Sequence, residues 1–99
     1  MAYRVVFAPE FESQILDLFR YLKEVESLEV AADYTNAIID YCASLAEFPM
    51  RGTARDDIRP GLRITHYKKR AIIAFAVLDD KVSILGIFYG GQNYEGKLS

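Results

Sequence analysis

Residues 71–78, Ala-Ile-Ile-Ala-Phe-Ala-Val-Leu, are apolar at every position. A half-exposed strand alternates apolar with polar side chains, so a run without alternation needs cover on both faces. The segment therefore predicts a central strand, and the rest of the chain has to supply its neighbours and its covers. Gly61 to Tyr67 and Val82 to Tyr89 are equally β-prone. Only Lys68-Lys69 and Asp79-Asp80-Lys81 separate them from a middle run at Arg70 to Leu78, the short connections expected of consecutive hairpins. An antiparallel meander follows. In its first run Leu62, Ile64 and His66 share one face, and Arg63, Thr65 and Tyr67 the other.

The first half of the chain has a different period. Tyr3 to Ala8 is β-branched and aromatic and stops at Pro9, which predicts a strand feeding directly into a helix. From there Phe11, Ile15, Leu18, Leu22 and Val25 recur at spacings of four and three, the mark of one buried helical stripe. Glu10 and Glu12 lie near the positive end of that helix dipole. Ser27 is placed to cap a second helix, along which Ala31, Tyr34, Ile38, Tyr41, Leu45 and Phe48 repeat the spacing until Pro49. Two amphipathic helices joined by so short a turn form an antiparallel pair. Residues 49–60, with two prolines, one glycine and mixed charge, read as a surface loop. The expected order is β-α-α-β-β-β, an α+β fold with a helical hairpin packed on a mainly antiparallel sheet.

Ninety-nine residues suffice for one domain spanning 1–99, since a chain of this size buries about 65% of the surface it exposes when unfolded. The beginning of the chain lacks the apolar stretch and cleavage site of a signal peptide, and no apolar run approaches the ~18 residues of a membrane span. A cytoplasmic protein with no membrane association is expected. The net charge of −2 hides a strong asymmetry. Residues 1–50 carry nine acidic and three basic side chains, whereas residues 51–70 carry seven basic and two acidic ones. Such a patch sets the field that an approaching partner meets.

Most enzyme constellations fail on residue inventory. His66 and Cys42 are the sole histidine and cysteine, so no zinc site of the usual His/Cys pattern can be assembled and no metal or cofactor is expected. Ser83 and Ser13 lack any nucleophile signature. His66 reads as a half-buried strand residue and Cys42 as a small buried hydrophobe. Gly90-Gly91 has neither a phosphate-loop pattern nor helix length behind it, so it reads as a chain reversal. Asp56-Asp57 and Asp79-Asp80 fit turns. Arg51, Arg55, Arg59 and Arg63 stand every four residues, yet Pro49, Gly52, Pro60 and Gly61 oppose a helix there. Clustered guanidiniums suit a polyanion or an acidic partner segment, or they balance the acidic helices as a solvated face.

The order of elements and several phrases resemble the RelE/ParE superfamily of bacterial type II toxins. The phrases are Phe7-Ala8-Pro9-Glu10-Phe11, Leu45-Ala46-Glu47-Phe48-Pro49, Arg59-Pro60-Gly61-Leu62-Arg63, Ile73-Ala74-Phe75-Ala76-Val77, and Val82 through Gln92. The resemblance covers essentially the whole chain. It implies one of two activities. RelE-like members cleave messenger RNA on the ribosome, which needs a proton acceptor and cationic groups converging on one phosphate. ParE-like members keep the fold without that set and poison DNA gyrase by protein contact.

The resemblance places the nuclease branch's arginine after the last strand at about Gln92. It places the C-terminal catalytic aromatic near Leu98 and the arginine that begins the third strand of the nucleases near Ile72. None of these three can carry the role, which implies the ParE-like branch, with DNA gyrase as target and a cognate antitoxin as partner in a hetero-oligomer. A nuclease acting on ribosome-bound mRNA would have to use Arg63, Arg70, Tyr89 and Tyr94 instead. A third reading is a non-toxic relic that retains antitoxin binding. The resemblance implies a wrapping antitoxin, for which Arg55, Arg59 and Arg63 are the expected polar contacts and Leu16, Phe19 and Tyr21 the apolar ones. It places a toxicity determinant on the last strand and tail, at Phe88, Tyr89, Gln92, Asn93, Tyr94 and Leu98.

Overall fold

The first strand, β1 (Arg4–Phe7), runs through Ala8 into helix α1 (Pro9–Val25) in the computed structural model, which describes residues 3–98. Pro9 occupies the first helical turn, where its missing N–H costs nothing and its fixed φ suits the helix. Helix α2 (Leu28–Ser44) starts on Ser27, whose side chain accepts a hydrogen bond from the Val30 N–H at 3.0 Å. With only Glu26 and Ser27 between them, the two helices fold back on one another. Strands β2 (Thr53–Ala54), β3 (Leu62–Tyr67), β4 (Ala71–Leu78) and β5 (Lys81–Tyr89) follow, and a short helix α3 (Tyr94–Leu98) ends the described chain.

Within the described residues the strands form one sheet in the order β1-β5-β4-β3-β2. β1 lies parallel to β5, and every other pair is antiparallel. The central position of β4 is as its apolar run requires. On one face Ala71, Ile73 and Phe75 meet Phe11, Leu18 and Leu22 of α1 and Ala31, Ile38 and Cys42 of α2. On the other, Ala74 belongs to a smaller cluster with Leu62, Ile64, Phe88 and Leu98. Burial pushes the Cys42 thiol up to about 12, so this side chain stays protonated and packs as a hydrophobe.

β5 serves both faces by changing parity. Ala74 pairs with Gly86 and Phe75 with Ile84, so Leu85 is an extra residue with no partner on β4. Such a bulge switches which side chains point to a given face. Val82 and Ile84 before it, and Ile87 after it, all reach the hairpin side. Gly86 leaves room for α1 here, because a Cβ at this position would lie 2.9 Å from Gln14 Oε1.

Several sequence expectations change. α2 ends at Ser44 and a turn carries residues 45–47, which leaves Phe48 exposed; Val25 at the end of α1 is exposed as well. The expected loop at 49–60 contains β2, which pairs Thr53 with Ile64 and Ala54 with Arg63. The tail, expected to have no helix, holds α3. His66 is exposed rather than half buried, since the cluster covering Leu62 and Ile64 stops short of it.

Gly52 closes the approach to β2 with φ of +78°, and a Cβ there would stand 2.2 Å from the Ile64 carbonyl oxygen. Gly91 has a similar φ of +87° with nothing within 4 Å. Replacing Gly52 by alanine is expected to cost about 1–3 kcal/mol in urea unfolding. Gly91→Ala, strained in the backbone alone, is expected to cost less.

Candidate functional site

The tail is held in place by two of the three arginines expected to contact a partner, Arg55 and Arg59. After β5, Gly90 and Gly91 reverse the chain through positive φ, and the Gly90 N–H donates to the Arg70 carbonyl at 2.9 Å. Asn93 then caps α3, its Oδ1 accepting from the Gly96 N–H at 3.2 Å. Tyr94 packs on Phe88 at 6.3 Å between ring centroids, and Leu98 is buried in the outer cluster. A five-residue helix has little intrinsic stability, so these contacts decide whether it stays.

Arg55 supplies the polar lock. Its guanidinium donates to both Asp57 carboxylate oxygens at 3.0 and 2.9 Å, to Glu95 at 2.7 Å, and to the Tyr94 hydroxyl at 2.7 Å. The hydrogen bond from Arg55 holds the Asp57 carboxyl below its usual range. Arg59 adds a bond from Nη2 to the Leu98 carbonyl at 3.0 Å. Arg63 works elsewhere: it donates to the carbonyls of Met50, Arg51 and Gly52 and fixes the loop before β2. Arg51 lies over the rings of Tyr41 and Phe48, 5.1 and 5.2 Å from their centroids. The basic stretch is therefore largely a set of internal braces.

Between α1, the end of β5 and the tail lies an open groove of about 450 Å³. Gln14, Asp17 and Tyr21 line it from α1, Ile87 and Tyr89 from β5, and Gln92 and Lys97 from the tail. A smaller hollow of about 220 Å³ continues it past Gln14 and Lys97 to Glu10, Arg59 and Leu98. Of the expected toxicity residues, Tyr89 and Gln92 open into this groove, Phe88 lies buried beneath the tail, Leu98 is the buried end of α3, and Asn93 and Tyr94 hold that helix in place. Of the expected apolar antitoxin contacts, Leu16 and Tyr21 are exposed. Phe19 is half buried against the main core, so it is a packing residue first.

The four residues that would serve a nuclease do not converge. Arg63 braces the loop before β2, while Arg70 lies beyond the far end of β3, roughly 13 Å of strand away. Arg70 sits against the Tyr89 hydroxyl on the hairpin side, whereas Tyr94 is bound to Arg55 on the opposite face. Tyr89 belongs to a row of rings, Tyr21-Tyr89-Tyr34-Tyr67-Tyr41, with successive centroids 6.3, 5.9, 6.0 and 5.2 Å apart. The Tyr34 hydroxyl within it is buried without a hydrogen-bond partner. Its pKa is raised, by burial first and then by Tyr89 and Tyr67, against the opposing effect of Arg70. Among the described residues no three His, Cys, Asp or Glu side chains stand close enough to hold a metal ion.

Sequence reasoning missed Gln14, Asp17 and Lys97. Gln14 did carry a signal: it stands three residues after Phe11 and four before Leu18, a polar side chain where the helical stripe calls for an apolar one. Nothing local marks Lys97.

A helical hairpin on one face of a mostly antiparallel sheet, with the tail folded across the other, is an architecture with a known counterpart. A chain of the chromosomal ParDE TA system from P. aeruginosa superposes with a TM-score of 0.78, over 91% of this chain and 98% of that one, at 15% identity. Comparison with curated proteins gives no match. Residues 5–94 match the family described as ParE toxin of type II toxin-antitoxin system, parDE, and the chain belongs to that family. It is the toxin component of a type II toxin-antitoxin system, and an antitoxin is its partner. No helix among the described residues is long and apolar enough to cross a membrane.

The lock on α3 is pH-sensitive in a definite sense. A carboxyl whose folded pKa is depressed contributes stability that is complete above its unfolded pKa, about 3.9 for aspartate, and is lost as pH falls through the folded value. The protection factors of amides in residues 94–98, which correct for the intrinsic slowing of exchange in acid, are therefore expected to fall ahead of those in the sheet as pH drops below about 4. Arg55→Ala should produce the same selective loosening at neutral pH, with the sheet amides still protected.

Proposed function

We propose that this toxin arrests growth by binding DNA gyrase in the cytoplasm and does not cleave RNA. The separation of Arg63, Arg70, Tyr89 and Tyr94 into three places carries the reading. Phosphodiester cleavage needs a proton acceptor and cationic groups around one phosphate, and dispersed groups provide neither the proximity nor the charge focus. The net charge of −2 acts in the same direction, because docking onto ribosomal RNA draws its affinity from positive charge. The tail and groove offer a contact surface instead: polar side chains at Gln92, in the turn before α3, and at Lys97 on α3, which Arg55 and Arg59 brace from beneath. One observation favours the nuclease reading, namely the Arg70 guanidinium beside Tyr89, which places a cation next to a phenol.

Expression in bacteria without the antitoxin separates the readings. Filamentation with a DNA-damage response is expected. Rapid arrest of protein synthesis with cleaved transcripts would establish the nuclease, and unimpaired growth a relic that only binds antitoxin.

The tail can be tested without unfolding its support. Substituting Gln92 and Lys97 by alanine, with Tyr94 and Leu98 retained, is expected to relieve growth inhibition by about tenfold or more in colony counts if they lie at the centre of the target contact. Undiminished toxicity in a folded variant would move the determinant elsewhere.

A further inference from the structure

The margin of a sheet presents a row of backbone donors and acceptors to any chain that approaches, and folded proteins ordinarily blunt it. Most of the margin here is blunted. β5 continues past the end of β1 with no strand on its outer side, yet its outward donors are taken by glutamines: Ile87 N–H donates to Gln14 Oε1 at 2.8 Å, and Tyr89 N–H to Gln92 Oε1 at 3.1 Å. At the opposite margin β2 is only two residues long. β1 is the exception. Arg4 N–H donates to the Asp80 carbonyl and Ala8 N–H to the Ile84 carbonyl, so residues 4, 6 and 8 turn their backbone groups toward β5 and residues 3, 5 and 7 turn theirs outward. The Tyr3 N–H is bound to the Ala46 carbonyl at 2.8 Å. The outward N–H and C=O groups of Val5 and Phe7 have no partner among the described residues.

We propose that β1 is a self-association strip, on which a second copy of this chain lays its own β1 antiparallel across a two-fold axis at Val6. The register follows by elimination. Outward residues must face outward residues, which limits the axis to Val5, Val6 or Phe7. An axis at Phe7 sets Val5 opposite Pro9 of the second copy, which has no N–H to return. An axis at Val5 sets Phe7 opposite Tyr3, whose N–H already serves Ala46. An axis at Val6 sets Val5 of each copy opposite Phe7 of the other, and every free donor then meets a free acceptor. The side chains agree with that choice. Val5 and Phe7 pack on the hairpin side, so Arg4 and Val6 lie on the face that carries the tail. Val6 is 40% exposed and meets its counterpart across the axis, where Cα atoms of such a pair approach to about 4.5 Å and β-branched side chains pack well. Arg4 lies opposite Ala8 of the second copy, two residues before that copy's Glu10. Lys81 and Asp80 stand beside Arg4 in its own chain, and Arg59 and Lys97 line the hollow with Glu10, yet neither Arg4 nor Glu10 has an ion pair among the described residues. A two-fold contact consumes both strips, so association stops at the dimer. The inference uses neither the antitoxin nor the toxin's target.

Sedimentation velocity and NMR amide exchange on the purified full chain, without antitoxin, test the strip. So short a contact makes a weak dimer, so the dimer fraction is expected to rise between about 1 μM and about 1 mM chain. Over the upper part of that range the Val5 and Phe7 amides are expected to slow in exchange by about fivefold or more, while Ile87 and Tyr89, on the guarded edge, keep their rates. Val6→Lys and Val6→Glu each set like charges against one another at the axis, and each alone should be monomeric. An equimolar mixture of the two should associate again, a rescue that a folding defect does not produce. If either variant folds poorly, the exchange comparison on the unaltered chain decides by itself. A chain that stays monomeric at about 1 mM overturns the proposal. So does a dimer in which the Val5 and Phe7 amides keep their dilute-solution rates, or one that persists in both Val6 variants.

Discussion

Burial of β4 on both faces is the constraint on which this molecule is built. A strand of eight apolar residues stabilises the fold only when two layers exclude water from it. The helical hairpin is a generous inner layer, with Phe11, Ile38, Cys42 and Leu45 fully buried behind Ile73 and Phe75. The outer layer is thin: Ile58, Tyr94 and Leu98 over Leu62, Ile64, Ala74 and Phe88. So small an apolar contact does not hold a five-residue helix by itself, and the Arg55 and Arg59 hydrogen bonds complete the attachment. The polar braces of the tail are a direct consequence of the apolar demand of one strand.

That dependence gives the arginines a role within the chain that sequence reasoning did not foresee. Their charge and clustering were plain, and so was their suitability for carboxylates; the carboxylates and carbonyls they meet lie within the same chain. Arg55 finds Glu95 forty positions away and Arg59 finds the Leu98 carbonyl. No local pattern announces a partner at that separation. By contrast, the meander, the hairpin, the Ser27 cap and the central place of β4 were legible because each follows from neighbours in sequence: period, capping residue or turn length. β2 was too short to carry a period. Helix α3 was illegible because tertiary contacts, and not its own propensity, sustain it.

The candidate site divides in the same way. The resemblance to ParE-like toxins directed attention to the end of β5 and the tail, and Tyr89 and Gln92 do open into the groove. The acceptors on the β5 edge were invisible for a physical reason: they depend on β1 ending one residue before the Leu85 bulge, and bulges leave no composition signal. Gln14 sits where α1 should be apolar because it answers a backbone donor, not a hydrophobic neighbour. Such residues break the local pattern in service of long-range geometry.

The row of tyrosines has an optical consequence. The chain contains no tryptophan and seven tyrosines, five of which form the single file that runs between the hairpin and the sheet. Its near-ultraviolet absorption and emission are therefore dominated by one seam, where rings about 5–6 Å apart exchange excitation energy and report their mutual orientation. The protein carries a built-in spectroscopic gauge of whether its hairpin is seated on its sheet.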